Sequence, residues 1–434
     1  MSNKVYIETL GCPKNFNDTE VFSAGLLNAG YEITDNPESA DIIIVNTCAF
    51  INDAKKESID RIFDMASFNK KLVVSGCLAE RYHNELMEEM PEVDLFVGVN
   101  DYERLPMLLK DQKCRYDAVS SIVRDYVPLE ERKLEKGQYT ATIKIAEGCD
   151  NKCAYCVIPG IRGKFRSKKK EDVIKETEYL ASLGIKELIL IAQDVTNYGM
   201  DIYGHYALPE LVKEICRVDG IEWVRLMYCY EDRITDELIQ VMRDEDKVCK
   251  YIDIPIQHAS DAVLNSMKRR STKESITDKL ERLRTNIPDI RIRTTLIVGF
   301  PGETEEDFDE LYDFVESARF ARLGVFAYSQ EENTVAGEME NQIDEEIKNE
   351  RLESIMELQR EISFELNKEF IGKTVKVLVE GEDEDGSYYG RTEYDAPEID
   401  NSVLFSSEKK LNPGDFVNVY IKDAYDYDLV GECE

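Results

Sequence analysis

The sequence predicts an α/β protein in three parts: an N-terminal open parallel α/β sheet, a partial (β/α)6 barrel and a small C-terminal all-β barrel of OB-like type. Three observations carry this. Runs of β-branched residues alternate with helical stretches over most of the chain, as parallel sheets covered on both faces require. The end of the chain changes to short strand-like runs split by turn signals, without helical period. At 434 residues the chain is also too long for one ordinary core. The predicted divisions are 1–125, 135–365 and 366–434.

In the first part, Val5–Leu10, Asp41–Asn46, Lys71–Ser75 and Asp94–Val97 read as strands, and Asn15–Ala29, Asp53–Ser67 and Glu80–Glu89 as the helices between them. A charged, turn-rich stretch, Asp125–Gln138, reads as a linker. Six strands then follow: Thr140–Ala146, Glu187–Ala192, Trp223–Tyr228, Tyr251–Ile256, Ile292–Val298 and Leu323–Tyr328. Helices are expected between them, for example at Glu171–Leu183, Pro209–Val218, Asp236–Arg243 and Glu305–Ala318. Six βα repeats make a partial barrel, with its site at the C-terminal strand ends. A long helix from Glu345 to Phe370, with an apolar stripe at Ile355, Leu358, Ile362 and Leu366, closes it. The final strand-like runs include Thr374–Glu380, Ser387–Arg391, Asp415–Ile421 and Asp428–Gly431, split by GEDEDG and NPGD.

Cys149, Cys153 and Cys156 form C-x3-C-x2-C directly after the first barrel strand. Structural zinc needs four ligands, and no further Cys or His lies nearby at zinc spacing. Three thiolates instead match three irons of a 4Fe-4S cubane and leave the fourth iron open to a ligand. Cys12, Cys48 and Cys77 each follow one of the first three N-terminal strands. Ligands of open α/β sheets bind at that edge, so these thiols are candidate ligands of a second centre; the alternative is three packed core cysteines. Cys114, Cys216, Cys249 and Cys433 have no such context, and Cys229, at a strand end, is at most a lining residue.

The chain carries 54 Lys and Arg against 88 Asp and Glu, a net charge of −34. From Leu366 onward there are 7 Lys and Arg against 17 Asp and Glu, a net of −10. Phosphate backbones repel such a surface, which favours a basic protein partner over direct RNA readout. A local basic patch can override net charge. Eleven cysteines and no signal-like segment lead us to expect a reducing, cytoplasmic setting, and no apolar run reaches the roughly 18 residues of a membrane span.

These motifs together resemble the radical S-adenosylmethionine (radical SAM) methylthiotransferases over the whole chain. The resemblance implies a methylthiotransferase domain, a radical SAM core and a C-terminal TRAM barrel. GCPKN at Gly11–Asn15, KIAEGCDNKCAYCVIPGIRGKFRS at Lys144–Ser167, YIDIPIQHAS at Tyr251–Ser260, VGFPGETEEDF at Val298–Phe308 and GRTEYDAPEID at Gly390–Asp400 are similar to the branch that modifies an aspartate of small-subunit ribosomal protein S twelve. The tRNA-modifying branch tends to GCQMN-like and GQN-like sequences where Pro13-Lys14 and Ala192-Gln193-Asp194 stand here.

The resemblance implies two 4Fe-4S clusters, SAM, a sulfide or polysulfide sulfur source and an electron donor. In the reaction the resemblance implies, electron transfer to SAM would release methionine and a 5′-deoxyadenosyl radical, which would abstract hydrogen from the aspartate β-carbon. By the same resemblance the second cluster would hold the sulfur, and another SAM would supply its methyl group. Two alternatives are a tRNA adenosine methylthiotransferase and a non-catalytic iron–sulfur scaffold.

Candidate SAM-side residues are Tyr155, beside the last cysteine; Gln193 and Asp194 after the second barrel strand; Arg293, which needs an anion if buried; and Gly299, Pro301 and Gly302, in a loop before a helix capped by Thr304. The loop also reads as a tight βα turn, and Gln193 and Asp194 as turn caps. The basic run Arg162–Lys170 reads either as a solvated helix start or as a guide for an acidic group; in the second case Arg162 and Arg166 are the substrate-binding candidates. His258 faces the functional end as a hydrogen-bonding or catalytic group, while His83 and His205 have no supporting context.

Overall fold

The computed structural model describes residues 3–110, 116–120 and 131–434. The N-terminal part comprises β1 (Lys4–Thr9), α1 (Pro13–Asn28), β2 (Glu32–Ile33), β3 (Ile42–Thr47), α2 (Asn52–Ala66), β4 (Lys71–Gly76), α3 (Cys77–Glu89), β5 (Leu95–Val97), α4 (Leu105–Lys110) and β6 (Tyr116–Ala118). Its parallel sheet has the order β2-β1-β3-β4-β5-β6. The run IIIVNT in β3 is buried throughout, as a central strand covered on both faces must be. The short edge strands β2 and β6 escaped the sequence reading, because two or three residues carry no legible period.

The central part comprises β7 (Thr140–Lys144), β8 (Ala146–Glu147), α5 (Ile158–Arg162), β9 (Arg166–Ser167), α6 (Lys170–Ser182), β10 (Glu187–Ile191), α7 (Leu208–Cys216), β11 (Trp223–Leu226), α8 (Asp236–Asp244), β12 (Val248–Asp253), α9 (Asp261–Ser266), α10 (Lys273–Asn286), β13 (Arg291–Val298), α11 (Glu305–Ala318), β14 (Arg322–Ala327) and α12 (Glu345–Lys368). Strands β7, β10, β11, β12, β13 and β14 lie in sequence order, all parallel, as right-handed βα repeats build them. β12 starts and stops three residues before its predicted bounds; Pro255, which lacks an N–H, follows its end.

The C-terminal part is a closed barrel of β15 (Thr374–Glu382), β16 (Tyr388–Thr392), β17 (Val403–Ser406), β18 (Phe416–Ala424) and β19 (Leu429–Cys433). Among the described residues no helix is long and apolar enough to cross a membrane.

The two faces of the six-stranded sheet have different partners. Leu188, Leu190, Val224, Leu226 and Ile252 join the helices in the main core. The alternate residues Ile189, Ile191, Trp223, Cys249 and Tyr251 pack with Leu378 and Ala396 of the C-terminal part. Arginines bind across this contact: Arg391 to Glu187, Arg225 to the Glu393 carbonyl (2.8 Å) and Arg322 to Asp395 (2.6 Å). Part of the acidity expected to face a partner is therefore neutralised inside the molecule.

The stretch read as a linker is not loose in its second half. Arg132 joins Glu20 of α1 to Glu176 of α6, the latter at 3.0 Å. Positions 125–130 of that stretch, and Cys114, lie outside the described residues.

Glu187 supports a pH prediction. Burial alone would raise its carboxyl, but Arg391 and Arg225 hold it down at about 2. The folded value is depressed, so its stabilisation is full above the ordinary carboxylate value of roughly 4.3 and is lost as pH falls through about 2. Trp223, the chain's single tryptophan, packs 4.8 Å from the Phe416 ring across this contact and reports on it. We expect its fluorescence to shift red between roughly pH 4 and 2. In Glu187→Gln the shift should already be present at neutral pH; a wild-type spectrum there would remove Glu187 from the contact.

Candidate functional site

β1, β3 and β4 are neighbours in the N-terminal sheet, so Cys12, Cys48 and Cys77 leave three adjacent strand ends together. Cys12 caps α1, Cys48 follows β3 directly and Cys77 opens α3. The sequence put the start of α3 at Glu80; it begins three residues earlier because Gly76, at φ +95°, turns the chain straight out of β4. Gly11, at φ +92°, is equally constrained, since a Cβ there would stand 2.7 Å from that of Cys48. Asn15 braces the group by donating to the carbonyls of Leu10 (2.8 Å) and Thr47 (2.9 Å). Ser58 Oγ accepts from the Cys48 N–H at 3.0 Å. Burial pushes the Cys77 thiol up to about 11, Arg162 opposes this, and Cys12 and Cys48 push it further. These thiols are close enough to feel one another's charge.

The second triplet lies on the loop after β8. Gly148 has φ +78°, and a Cβ there would meet the Lys164 carbonyl oxygen at 2.1 Å. The Cys149 N–H bonds the Gly163 carbonyl at 3.0 Å, and the Ala154 N–H that of Met267 at 2.9 Å. Burial pushes Cys149 up to about 11 and Cys156 up to about 12, with Cys153 adding to both. Tyr230 brings its hydroxyl to 3.8 Å from Cys153 Sγ, and the Arg269 guanidinium covers the Tyr230 ring at 4.3 Å. Burial raises the Tyr155 phenol well above its usual range, and the nearby Cys153 adds to this.

Among the described residues no three His, Cys, Asp or Glu side chains converge on a single-ion site. A cubane asks for something else, because each thiolate binds a different corner and the sulfurs stay further apart. The residues fit such a group. Each triplet is all-thiol and mutually close, and buried polar atoms beside the second triplet have no partner: Gln193 Oε1 and Arg269 Nη1.

The structure corrects the reading of Arg162. It is 2% exposed, so it neither starts a solvated helix nor presents itself to an incoming acid. Its guanidinium reaches Asp18 (2.7 Å), Glu147 (3.2 Å), Asn15 Oδ1 (2.8 Å) and Cys77 Sγ (3.4 Å). Lys144 joins the same two carboxylates, at 2.6 Å from Glu147. Burial would raise the Glu147 carboxyl, but Lys144 and Arg162 hold it far below the usual range. The buried cluster ties the thiol-bearing sheet to the loop of the second triplet. Arg166 lies in β9 opposite Glu147 and donates to the carbonyls of Arg162 (3.3 Å) and Lys164 (3.1 Å). Lys168 and Lys170 pair with Glu176 and Glu214, so the basic run is no single surface feature.

Arg293 has its anions within the chain: Asp253 at 3.1 Å and Asp400 at 3.4 Å. Asp194 caps a short turn, accepting from the Asn197 N–H and Thr196, and pairs with Arg233. Gln193 donates to Glu147 at 2.7 Å and leaves its carbonyl oxygen unbound. In the 299–304 loop, a Cβ on Gly299 would meet Lys348 Cγ of α12 at 2.2 Å, so this glycine answers first to helix packing. Pro301 is buried, Gly302 is exposed at φ +84°, and Thr304 caps α11 in a reciprocal pair with Asp307. His258 is fully buried, accepts from the Ser260 N–H at 3.0 Å and stands 3.6 Å from Glu303, as a structural group does.

Sequence reasoning missed Tyr228, Tyr230, Arg269, Asp18 and the chemistry of Lys14. Only Tyr228 and Tyr230 carried a signal, as aromatic residues just beyond a barrel strand.

Three family models match the chain: the uncharacterized protein family UPF0004 over 4–98, the Radical SAM superfamily over 143–315 and the TRAM domain over 371–433. Over 436 residues the chain is 49% identical to a Clostridioides difficile protein named ribosomal protein uS12 methylthiotransferase RimO, covering 99% of this chain and 98% of that one. A protein of the same name from Acetivibrio thermocellus is 50% identical over 446 residues, covering 100% and 98%. Among solved structures, the radical SAM methyltransferase TsrM from Kitasatospora setae, with tryptophan and a SAM analogue bound, matches at TM-score 0.58 and 15% identity over 75% of this chain and 73% of that one. The cobalamin-dependent enzyme OxsB matches at TM-score 0.52 and 14% identity over 82% and 56%. At these identities the structural matches speak for the fold alone.

Proposed function

Because this chain belongs to the family of ribosomal protein uS12 methylthiotransferase RimO, we propose that it replaces a β-hydrogen of an aspartate of uS12 with a methylthio group. Membership implies a 4Fe-4S cluster and SAM. The finer reading is that Cys149, Cys153 and Cys156 hold this cluster and that Cys12, Cys48 and Cys77 hold a second. When bound, these groups supply the one-electron chemistry and the sulfur that side chains lack.

The chain's own residues set the arrangement. Arg162 joins the loop that carries the second triplet to Cys77 of the first across a domain contact, and this is the observation that supports the proposal. Arg162, six residues beyond Cys156, reaches Cys77, and the Lys14 charge bears on Cys156. Arg162 and Lys144 compensate negative charge at that contact, and Tyr155, Tyr230 and Arg269 wall the second triplet. Thiols must lose protons to bind iron, so the nearby cations favour loading. The acidic surface suits a basic ribosomal protein.

The test offers the anaerobically reconstituted enzyme uS12 and bulk tRNA in parallel, with SAM, reductant and sulfide. The expected result is a gain of about 46 Da on an aspartate of uS12, hydrogen replaced by S–CH3. Cys12, Cys48 and Cys77 changed together to Ala should abolish that gain while SAM cleavage persists. Methylthioadenosine in the tRNA digest with unmodified uS12 would sink the reading.

A further inference from the structure

One largely buried lysine near the joint of the N-terminal and central parts has no charged partner among the described residues. Lys14 is 9% exposed, and among the described residues its ammonium has neither a hydrogen-bond acceptor nor a carboxylate within 4.0 Å. Its neighbour is the Tyr228 ring, 3.7 Å away. The other buried cations nearby are all paired: Lys144 and Arg162 with Asp18 and Glu147, Arg293 with Asp253. The ammonium tip is not sealed off from solvent, so an incoming anion can reach it, and the cation–π contact supplies only part of a counter-charge.

The position of this charge is specific. Lys14 lies two residues beyond Cys12 at the start of α1, and its charge slightly opposes the rise that burial imposes on the Cys156 thiol. Tyr228 in turn feels both Lys14 and Cys12. The pair therefore stands within electrostatic reach of one cysteine from each triplet. Tyr228 adopts φ +60°, a strained conformation for a bulky residue. Its N–H donates to Asp253 Oδ2 at 2.9 Å and its carbonyl accepts from the Val195 N–H at 3.2 Å, which hold it there.

We propose that Lys14, seated on the Tyr228 ring, binds the side-chain carboxylate of the substrate aspartate and so positions its β-carbon between the two triplets. The inference rests on the uS12 reading above. The carboxylate is bonded directly to the reacting carbon, so whatever grips the one places the other. Lys14 comes from the N-terminal sheet rather than from the central barrel strands whose ends carry the SAM-side candidates, which favours a substrate anion over the SAM carboxylate.

Binding separates this role from a structural one. A fluorescent uS12 peptide containing the aspartate, and its asparagine counterpart, are titrated by anisotropy into the reconstituted holoenzyme with SAM. Wild type should prefer the aspartate peptide by roughly tenfold or more, as a charge-assisted hydrogen bond gives. Lys14→Met should bind both peptides equally, at the wild-type affinity for asparagine, and Lys14→Arg should keep the preference. All three proteins should hold the same iron. Retained preference in Lys14→Met, or loss of its iron, would overturn the proposal. So would a wild type without preference, while the uS12 reading would still stand or fall on the mass assay alone.

Discussion

With Cys149, Cys153 and Cys156 changed together to alanine, the reconstituted protein should bind about half the wild-type iron and release no detectable 5′-deoxyadenosine from SAM. The triplet is the only thiol set on the barrel side of the contact among the described residues, and its loop is fixed by backbone bonds that the substitutions leave intact, from Cys149 to Gly163 and from Ala154 to Met267. The fold should therefore survive with its ligands gone. The N-terminal triplet, on its own sheet, should still load, which accounts for the remaining iron. Cys433→Ser, in the distal β19, is the control and should retain full iron and cleavage. SAM cleavage at the wild-type rate by the triple variant would end the assignment of these cysteines.

Arg162→Met should have the largest effect of any single substitution on the joint between the N-terminal sheet and the barrel. It removes one guanidinium that serves Asp18, Glu147, Asn15 and Cys77 at once. Breaking a buried ion pair by deleting one partner costs about 3–5 kcal/mol, because the other charge stays behind. Lys144 remains to moderate the loss. Amide hydrogen exchange in α1 and β4 should accelerate by roughly a hundredfold or more. Arg162→Lys restores the charge but not the planar fork, so its rates should fall between. Protection at the wild-type level in Arg162→Met would mean that the two domains do not depend on this cluster.

Much of the fold is legible because its signals are local. The run DIIIVN announces a central strand by composition, and Thr304 announces the start of α11 by its place before an acidic first turn. What went unnamed were β2 and β6, too short to show a period, together with β17 and the largely polar α10, and the exact start of α3, which a positive-φ glycine decides. At the site, Cys149, Cys153 and Cys156 stood out because all three belong to one eight-residue loop. Arg162 was misread for the opposite reason: in RGKFRSKKK it looks like one basic residue among several, and nothing adjacent marks it as the one that turns inward.

By itself, the sequence determined the order of most elements and the division into two α/β parts and a β-barrel, and it marked two cysteine triplets as candidate ligand sets. Periodicity, turn residues and ligand spacing are properties of neighbouring residues, and they survive reading one stretch at a time. The tertiary structure alone decided which groups meet. Cys12, Cys48 and Cys77, far apart in sequence, converge because β1, β3 and β4 pair side by side. Arg162 meets Cys77 and Lys14 meets Tyr228 across a domain contact, and Asp395 and Asp400 face barrel arginines instead of solvent. Such pairings form because a buried charge must find a counter-charge from whatever part of the chain packs against it, a requirement that leaves no trace in local pattern.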